Sequence, residues 1–216
     1  MLGYVCKYTP MELFEAMDTE ITRLEPSVTD FNHADTLMHA NICSYTKAVL
    51  EDVMEHDYEG VILTTCCDSI RRLYDTLKSQ FPDKFFFLLD IPRKFNDFAV
   101  TLYERQLKQM LTEYEAFSGK TLDLKRFVSM MQNKAALKKQ ENTRMSASAA
   151  SEKGNGQKLN IGIMGARCNN EIRQLLVDRG ANLLFDLTCT GLARDFSITE
   201  DQVCLLYTSD AADELD

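Results

Sequence analysis

The chain has 216 residues, of which 45% are hydrophobic and 26% are charged, as in an ordinary globular protein with one large or two small domains. Its formal net charge of -9 argues against a general nucleic-acid or anionic-membrane binder, since both need a basic surface. No stretch approaches the roughly 18 apolar residues of a membrane span, and no secretory signal opens the sequence. We therefore expect a cytoplasmic protein, in which clustered cysteines indicate metal or redox chemistry rather than disulfides.

The first 96 residues alternate helix and strand patterns. "TPMELFEAM" predicts a helix opened by Thr9 with Pro10 at its first position, and "SYTKAVLEDVMEH" predicts a second helix from Ser44. The apolar run "VILTT" predicts a strand buried on both faces, followed by helix "DSIRRLYDTLKSQF" and strand "KFFFLLDIP". This alternation predicts an α/β domain over residues 1–96, built on a doubly wound parallel sheet.

The sequence after residue 96 predicts a helical segment, a linker and the start of a second domain. Residues 97–140 read as a helical extension with a stop at Gly119, and the polar stretch 141–158 is typical of a flexible linker or loop. "LNIGIMG", "NNEIRQLLVDRG" and "ANLLFDL" then predict the start of a second α/β domain over 159–203. Residues 204–216 contain "CLLYTSDAADE", which resembles a translated sequencing adapter. We expect this tail to be non-native and the chain to be a fragment of a longer protein.

Cysteines lie at several predicted element boundaries. Apart from Cys204, they are Cys6, Cys43, Cys66, Cys67, Cys168 and Cys189. Ligands of open α/β sheets bind beyond the carboxyl ends of the strands, where helix N-termini also favour anions. Soft thiolates select zinc, Cu(I) or iron–sulfur clusters, although these spacings match neither zinc ribbons nor ferredoxins. The residues alone leave two interpretations open: a thiolate metal site, or inert cysteines packed as small hydrophobic side chains.

Other polar groups are weaker candidates. The glycine-containing turn "GIMGARCNNEI" lacks the spacing of a dinucleotide-binding or P-loop motif and is best read as a tight turn. His39 lies four residues before Cys43, but a surface or capping role is the simpler interpretation. Arg71 and Arg72 are expected on a solvated helix face, with an anionic ligand as the alternative. Asp68 is explained as a helix-start residue.

Six stretches together resemble the 2-hydroxyacyl-CoA dehydratase superfamily, which includes the benzoyl-CoA reductase subunits and the double-cubane-cluster proteins. They are "GYVCKYTPMELFEAM", "HANICSYTKAVLE", "GVILTTCCDSIRRLYD", "FFFLLDIPRK", "IGIMGARCNNEI" and "LLFDLTCTGLARDF". The resemblance implies flavodoxin-like domains and a cysteine-bound, oxygen-sensitive iron–sulfur cluster, of the [4Fe-4S] or double-cubane type. It also implies radical dehydration of a 2-hydroxyacyl-CoA by way of a substrate ketyl radical.

The resemblance further assigns ligands and partners. Cys43 and Cys67 match the first cluster ligands of the family, and the doubled "CC" with "TCTG" adds Cys66 and Cys189, as in the double-cubane branch. That branch reduces small molecules, so such a reductase is one alternative function; a non-catalytic zinc-binding module is another. The implied partners are an ATP-dependent iron–sulfur activator and a homologous or identical second subunit, without nucleic acid or membrane.

Two departures from the family pattern stand out. Asp18 occupies the position after the first helix where the family has glycine, so we expect a weakened helix stop. The family's C-terminal ligand cysteines have no counterpart in these 216 residues. We therefore expect this chain to be inactive by itself.

Overall fold

The structure is a computed structural model of the chain. It describes residues 1–28, 30–92, 96–133, 159–165, 167–186 and 188, together with the backbone of 195–199 and 202–208. The chain divides into two compact units, Met1–Phe127 and Val128–Asp216, called unit 1 and unit 2 below.

Unit 1 contains a four-stranded sheet in which every neighbouring pair is parallel. Its strands are β1 (Leu2–Tyr4), β2 (Ile21–Arg23), β3 (Gly60–Thr64) and β4 (Phe85–Leu89). The strand order is β2-β1-β3-β4, so the direction of winding reverses between β1 and β3. This is the flavodoxin-like order, in which ligands bind where the winding reverses. The predicted fold class is confirmed.

Five helices connect or flank these strands: α1 (Met11–Ala16), α2 (Asn32–Leu37), α3 (Ser44–Glu55), α4 (Asp68–Gln80) and α5 (Asp97–Ser118). A further helix, α6 (124–133), contains the point at which the chain passes from unit 1 to unit 2. Gly119 ends α5 in the left-handed conformation with a φ of 71°, as the sequence predicts for a glycine stop. Within the described residues, no helix combines the length and apolar character that crossing a bilayer requires.

The core of unit 1 lies between the sheet and its helices. All five residues of β3 are buried, which explains its uninterrupted apolar run. Helix α5 joins this core through Tyr114, whose ring packs edge-on against Phe14 and Phe85 with centroids 5.1 and 5.0 Å away. The Tyr114 hydroxyl is also bonded to Thr19 and Glu59, at 3.0 and 3.1 Å. These contacts attach the long helix to the same core as the sheet.

The start of α1 differs from the prediction. Pro10 is the N-cap rather than the first helical residue, and its side chain makes no capping bond. Its ψ of 71° lies outside the helical range. Thr9 is fully buried in the turn after β1, where its backbone N–H bonds the Cys6 carbonyl at 3.0 Å. The expected Thr9 cap was therefore wrong, because that residue belongs to the preceding turn.

The end of α1 also corrects an expectation. Asp18 adopts a left-handed φ of 56°, and the N–H groups of Asp18 and Thr19 bond back to the carbonyls of Glu15 and Phe14, at 3.2 and 2.9 Å. This is the hydrogen-bond pattern of a Schellman stop. The Asp18 carboxylate accepts from Arg126 at 2.7 Å. The stop is thus intact without glycine, contrary to the weakening expected from the sequence.

Unit 2 begins with the predicted strand–helix–strand arrangement. Strands β5 (Leu159–Ile163) and β6 (Ala181–Asp186) pair in parallel, and α7 (Asn170–Asp178) lies between them in the chain. An antiparallel pair, β7 (Asp195–Thr199) and β8 (Gln202–Thr208), follows; the sequence analysis did not predict it. The linker predicted over 141–158 and the proposed ligand Cys189 lie outside the described residues.

Candidate metal centre at the carboxyl edge of the first sheet

In unit 1, a cysteine follows each of the two strands, β1 and β3, between which the winding direction of the sheet reverses. Cys6 comes two residues after β1, and Cys66 comes two residues after β3. Because β1 and β3 are adjacent and parallel, their carboxyl ends meet at the same edge of the sheet. Cys6 is only 3% exposed, whereas Cys66 and Cys67 are exposed. The edge where ligands of such sheets bind therefore carries both a buried thiol and two accessible thiols.

The thiols at this edge lie close enough to influence one another. Although Cys66 is exposed as a residue, partial burial of its sulfur is the largest effect on it and raises the pKa of that thiol. Negative charge on Cys67 or on Cys6 raises the pKa further, while the nearby Thr64 hydroxyl opposes the rise. Cys66 thus resists becoming a thiolate while its neighbours are also ionised. A positively charged centre would relieve this repulsion.

The other two candidate ligands of unit 1 occupy equivalent positions at helix starts. Cys43 is the N-cap of α3 and Cys67 is the N-cap of α4, each with an extended backbone conformation. Helix N-termini direct unpaired N–H groups and a partial positive charge toward whatever lies before them. Both sulfurs therefore stand where negative charge is favoured.

Cys43 is held by hydroxyl groups. Its Sγ lies 3.1 Å from the Thr46 Oγ1, and the Ser69 hydroxyl lies near enough to affect its ionisation. Burial by itself would raise the pKa of Cys43, but these hydroxyls and the backbone N–H groups of Thr46 and Tyr45 outweigh it and lower the pKa. Cys43 is therefore more readily ionised than an ordinary cysteine, while its neighbour across the site, Cys66, is less so.

Ser69 lies close to both helix starts. It is the second residue of α4, two positions after Cys67, and it is near enough to Cys43 at the start of α3 to help lower the pKa of that thiol. The two helices also pack against each other. The structure therefore brings Cys43 next to the turn that carries Cys66 and Cys67.

A second polar contact fixes the exit of β3. The Thr65 hydroxyl donates to Asp90 Oδ1 at 2.5 Å and accepts from the Ile91 N–H at 3.3 Å. The Thr65 N–H donates to the Leu89 carbonyl at 3.0 Å. These bonds attach Thr65 to the end of β4 and so fix the backbone immediately before Cys66.

The donor set fits a thiophilic metal by its chemistry, since Cys43, Cys66 and Cys67 are exposed soft ligands at one edge of the sheet. Across the part of the chain that the structure describes, no three His, Cys, Asp or Glu side chains are arranged so that they could hold a metal ion. Cys168 is buried in unit 2. The described thiols therefore match a thiophilic metal in their chemistry, but they do not form a complete metal site by themselves.

The remaining candidates have local structural roles. The His39 Nδ1 accepts from the Asn41 N–H at 3.2 Å, on the surface. Arg72 pairs with Asp68 and Asp75, at 3.7 and 3.3 Å, on an exposed helix face. Asp68 is the first residue of α4. These placements agree with the simpler interpretation of each residue.

Unit 2 contains a buried ion pair that the sequence analysis did not find. Arg173 of α7 donates to Asp186, at the end of β6, over 2.6 Å, and to the Asn170 side chain over 2.8 Å. Asp186 in turn accepts from the hydroxyl and the N–H of Thr188, at 2.6 and 2.9 Å. Burial opposes ionisation of Asp186, but these bonds and the arginine lower its pKa. The network fixes the residue immediately before Cys189.

Sequence reasoning also missed the hydroxyl groups around Cys43 and Cys66. Thr46 lies three residues after Cys43, which is the spacing at which an N-cap side chain contacts the first turn of its helix. The contact between Cys43 and Thr46 could therefore have been predicted from the sequence. Nothing in the sequence indicates that Ser69 lies near Cys43, because the two residues belong to different helix starts. The pair formed by Thr65 and Asp90 likewise depends on two neighbouring strands.

Comparison with known proteins identifies a matching family. A family model described as 2-hydroxyglutaryl-CoA dehydratase, D-component, matches residues 6–153. The match begins at Cys6 and includes Cys43, Cys66 and Cys67, while the strands of unit 2 and α7 lie beyond it. No curated protein matches the chain at a significant level.

Proposed function

The chain belongs to the 2-hydroxyglutaryl-CoA dehydratase D-component family, and from this premise we propose that it serves in the iron–sulfur-dependent dehydration of a 2-hydroxyacyl-CoA. One observation carries the proposal. Cys43 is the N-cap of α3 and Cys67 is the N-cap of α4, and these two helices pack against each other. Accessible thiols from two neighbouring helix starts therefore lie at the edge of the sheet where a ligand is expected.

The proposed cofactor ligands are Cys43, Cys66, Cys67 and Cys189. The first three are the accessible thiols of unit 1, and the fourth follows Thr188, which the Arg173 network holds. A bound iron–sulfur cluster supplies one-electron chemistry and, at an open iron, Lewis acidity toward a substrate oxygen. The cluster is of the [4Fe-4S] or double-cubane type.

The residues of this chain contribute electrostatics and shape. The N-termini of α3 and α4 favour an anionic group in front of them. Cys6 is only 3% exposed and lies on the buried side of this edge, near enough to Cys66 to affect its pKa. Thr65, bonded to Asp90, fixes the point at which the chain enters the cysteine turn. Together these groups hold the thiols at a site that faces solvent on one side.

The reaction requires no net oxidation of its substrate. The hydroxyl at C2 and a hydrogen at C3 leave as water, and a carbon–carbon double bond forms between C2 and C3. In the radical route, one low-potential electron enters at the start and is recovered at the end. Its proposed source is an ATP-dependent iron–sulfur activator, and a homologous or identical second subunit completes the enzyme. The reducing environment that this chemistry needs agrees with a cytoplasmic location.

Anaerobic purification tests the cofactor. The protein should be brown and contain iron and sulfide, with iron content lowered in Cys43→Ala and Cys67→Ala. Cys204→Ser is the control, because Cys204 lies in the tail for which we expect no function, and it should retain the wild-type iron content. A colourless protein without iron would refute the cofactor proposal.

The exposure of both Cys66 and Cys67 favours a second candidate, a double-cubane reductase of small molecules. Iron analysis separates the candidates, because a double cubane supplies more iron per chain than one [4Fe-4S] cluster. Loss of iron in Cys66→Ala, as well as in Cys67→Ala, would favour the double cubane. Stoichiometric zinc without visible absorbance would instead identify a thiolate zinc module.

Activity is tested separately from cofactor content. The iron-loaded protein, supplied with an activator of the ATP-dependent class, ATP, reductant and second subunit, should convert 2-hydroxyglutaryl-CoA to the enoyl-CoA. Iron binding without dehydration, combined with ATP-dependent reduction of a small molecule, would transfer the assignment to the reductase. The same protein without activator should be inactive in either assay.

A further inference from the structure

We propose that Lys7 is an anion-binding residue at the carboxyl edge of the first sheet, where its ammonium group binds a carboxylate or phosphate oxygen of the ligand. Only the identification of an acyl-CoA as the source of that oxygen rests on the proposed function. The anion site itself follows from the surroundings of Lys7 in unit 1.

Lys7 lies in the turn that follows β1, three residues beyond the end of the strand. Across this turn the Thr9 N–H donates to the Cys6 carbonyl at 3.0 Å. The Tyr103 hydroxyl of α5 donates to the Tyr8 carbonyl at 3.1 Å. Because the winding of the sheet reverses between β1 and β3, these bonds hold Lys7 at the edge where ligands of such sheets bind.

The Lys7 side chain is buried without a counter-charge. The residue is only 5% exposed, whereas a lysine usually keeps its ammonium group in water. Within the described residues its interaction is with the Tyr8 ring, whose centroid lies 5.4 Å from Nζ, and it forms neither a hydrogen bond nor an ion pair. An ammonium group can donate three hydrogen bonds, and one ring face replaces only a small part of the hydration that burial removes.

Other shielded lysines of unit 1 have carboxylate partners. The Lys47 side chain, which is 12% exposed, pairs with Asp35 at 2.6 Å. The Lys84 side chain, which is 24% exposed, pairs with Asp57 at 3.3 Å. Since buried charges in proteins are normally paired, the unpaired charge of Lys7 indicates a partner from outside the chain.

A second buried polar group at this edge lacks a hydrogen bond. Thr64 is the last residue of β3 and is fully buried, and its hydroxyl makes no hydrogen bond with the described residues. Because β1 and β3 are adjacent and parallel, Thr64 and the turn of Lys7 lie at neighbouring strand ends. Buried hydroxyls are almost always hydrogen-bonded. Two unsatisfied donors at neighbouring strand ends indicate a site for an acceptor, and the charge of Lys7 favours an anionic one.

The first test needs no ligand. A buried charge without a partner costs stability, so Lys7→Met should raise the melting temperature of the metal-free chain in a buffer without carboxylate or phosphate. Lys78→Met is the matched control, because the Lys78 Nζ also lies over a tyrosine ring, 5.3 Å from the centroid of Tyr74, but Lys78 is exposed. The control should not be stabilised. An equal or lower melting temperature in Lys7→Met would overturn the proposal.

The second test adds anions to the same proteins at constant ionic strength. Glutarate represents the carboxylate of an acyl chain, and inorganic phosphate and coenzyme A represent the phosphates of the carrier. At least one probe should raise the melting temperature of the wild type and of Lys78→Met. The rise should be lost in Lys7→Met and largely kept in Lys7→Arg, which retains the charge.

The pattern of responses identifies the source of the oxygen. A rise with glutarate alone assigns Lys7 to an acyl carboxylate, and a rise with phosphate or coenzyme A assigns it to the phosphates of the carrier. Equal rises in the wild type and Lys7→Met, or no rise with any probe, would overturn the proposal.

Iron content separates this inference from the proposed function. An iron-free wild type whose anion binding depends on Lys7 would refute the cofactor and keep the anion site, whereas an iron-loaded wild type without such binding would lose only the anion site. Lower iron in Lys7→Met without Lys7-dependent anion binding would make Lys7 a counter-charge of the metal centre, which also overturns the proposal. If circular dichroism shows that Lys7→Met is unfolded, Lys7→Gln replaces it in both tests.

Discussion

The buried Glu51 carboxylate of α3 joins two groups at the start of α2. Its Oε2 lies 2.7 Å from the His33 Nδ1, and its Oε1 accepts from the Ala34 N–H at 2.8 Å. Glu51 is only 2% exposed. Short helices such as α2 have little stability of their own, so this carboxylate attaches α2 to the helix that begins next to Cys43.

This arrangement predicts acid-sensitive stability. Burial by itself would raise the pKa of Glu51, but the Ala34 N–H and the hydrogen bond and charge of His33 outweigh it and lower the pKa. A lowered pKa in the folded state stabilises the fold above the unfolded-state value of about 4.3, and that contribution is lost as the pH falls through the folded-state pKa. Glu51→Gln should lower the free energy of unfolding at pH 7 by about 1–3 kcal/mol.

Urea unfolding at several pH values measures this effect. The difference between wild type and Glu51→Gln should shrink below about pH 4.3, because the wild-type carboxylate is then also neutral. Glu55→Gln is the matched control, since Glu55 is exposed on the same helix. A constant difference from pH 7 down to pH 3 would contradict the electrostatic origin.

Cysteine reactivity gives a second prediction. The pKa of Cys43 is lowered and that of Cys66 is raised, and both residues are exposed. Because the thiolate is the nucleophile, iodoacetamide should modify Cys43 faster than Cys66 in the metal-free chain at neutral pH. Peptide mass spectrometry over time measures both rates. Faster modification of Cys66 would contradict the arrangement of hydroxyls and thiols described above.

The left-handed Asp18 provides a third prediction. Alanine tolerates this backbone conformation poorly, whereas glycine adopts it without a steric penalty. Asp18→Ala should therefore have a lower melting temperature than both the wild type and Asp18→Gly. Arg126→Ala removes the salt bridge to Asp18 but leaves the backbone unchanged. Its effect, measured by the same thermal unfolding, separates the contribution of charge from that of conformation.

The close approach of β3 and β4 gives a fourth prediction. A Cβ added at Gly60 would lie 1.9 Å from the Phe85 carbonyl oxygen, which is part of the paired backbone. Gly60→Ala should destabilise unit 1 by about 3 kcal/mol or more, since backbone cannot move aside as a side chain can. Gly3→Ala is the comparison, because its Cβ meets only the Leu24 side chain, at 2.9 Å. Denaturant unfolding should rank Gly60→Ala as clearly the less stable.

Long elements were predictable because their apolar pattern repeats over enough residues. Strand β3 has the expected continuous run, and α4 begins at Asp68 directly after the two cysteines, as the sequence indicates. The superfamily resemblance was also visible in the sequence and is confirmed by the family match over 6–153. The assignments of Cys43, Cys66, Cys67 and Cys189 as metal ligands stay predictions.

Short elements were not predictable. Strands β1 and β2 have three residues each, too few for a periodic pattern, and they exist as strands because their neighbours pair with them. Leu2 of β1 pairs with Ile21 on one side and with Gly60 on the other. Helix α2 has six residues and depends on Glu51, 17 positions from Ala34 in the chain.

By itself, the sequence determined the α/β class, the succession of the longer elements and the position of Cys43, Cys66 and Cys67 at their boundaries, because these depend on neighbouring residues. Only the tertiary structure decided that Cys6 and Cys66 lie at the same edge of the sheet and that Ser69 lies near Cys43. Both placements follow from the order of strands in the sheet and the packing of α3 against α4. Such placements involve residues that are distant in the chain, and no local spacing specifies them.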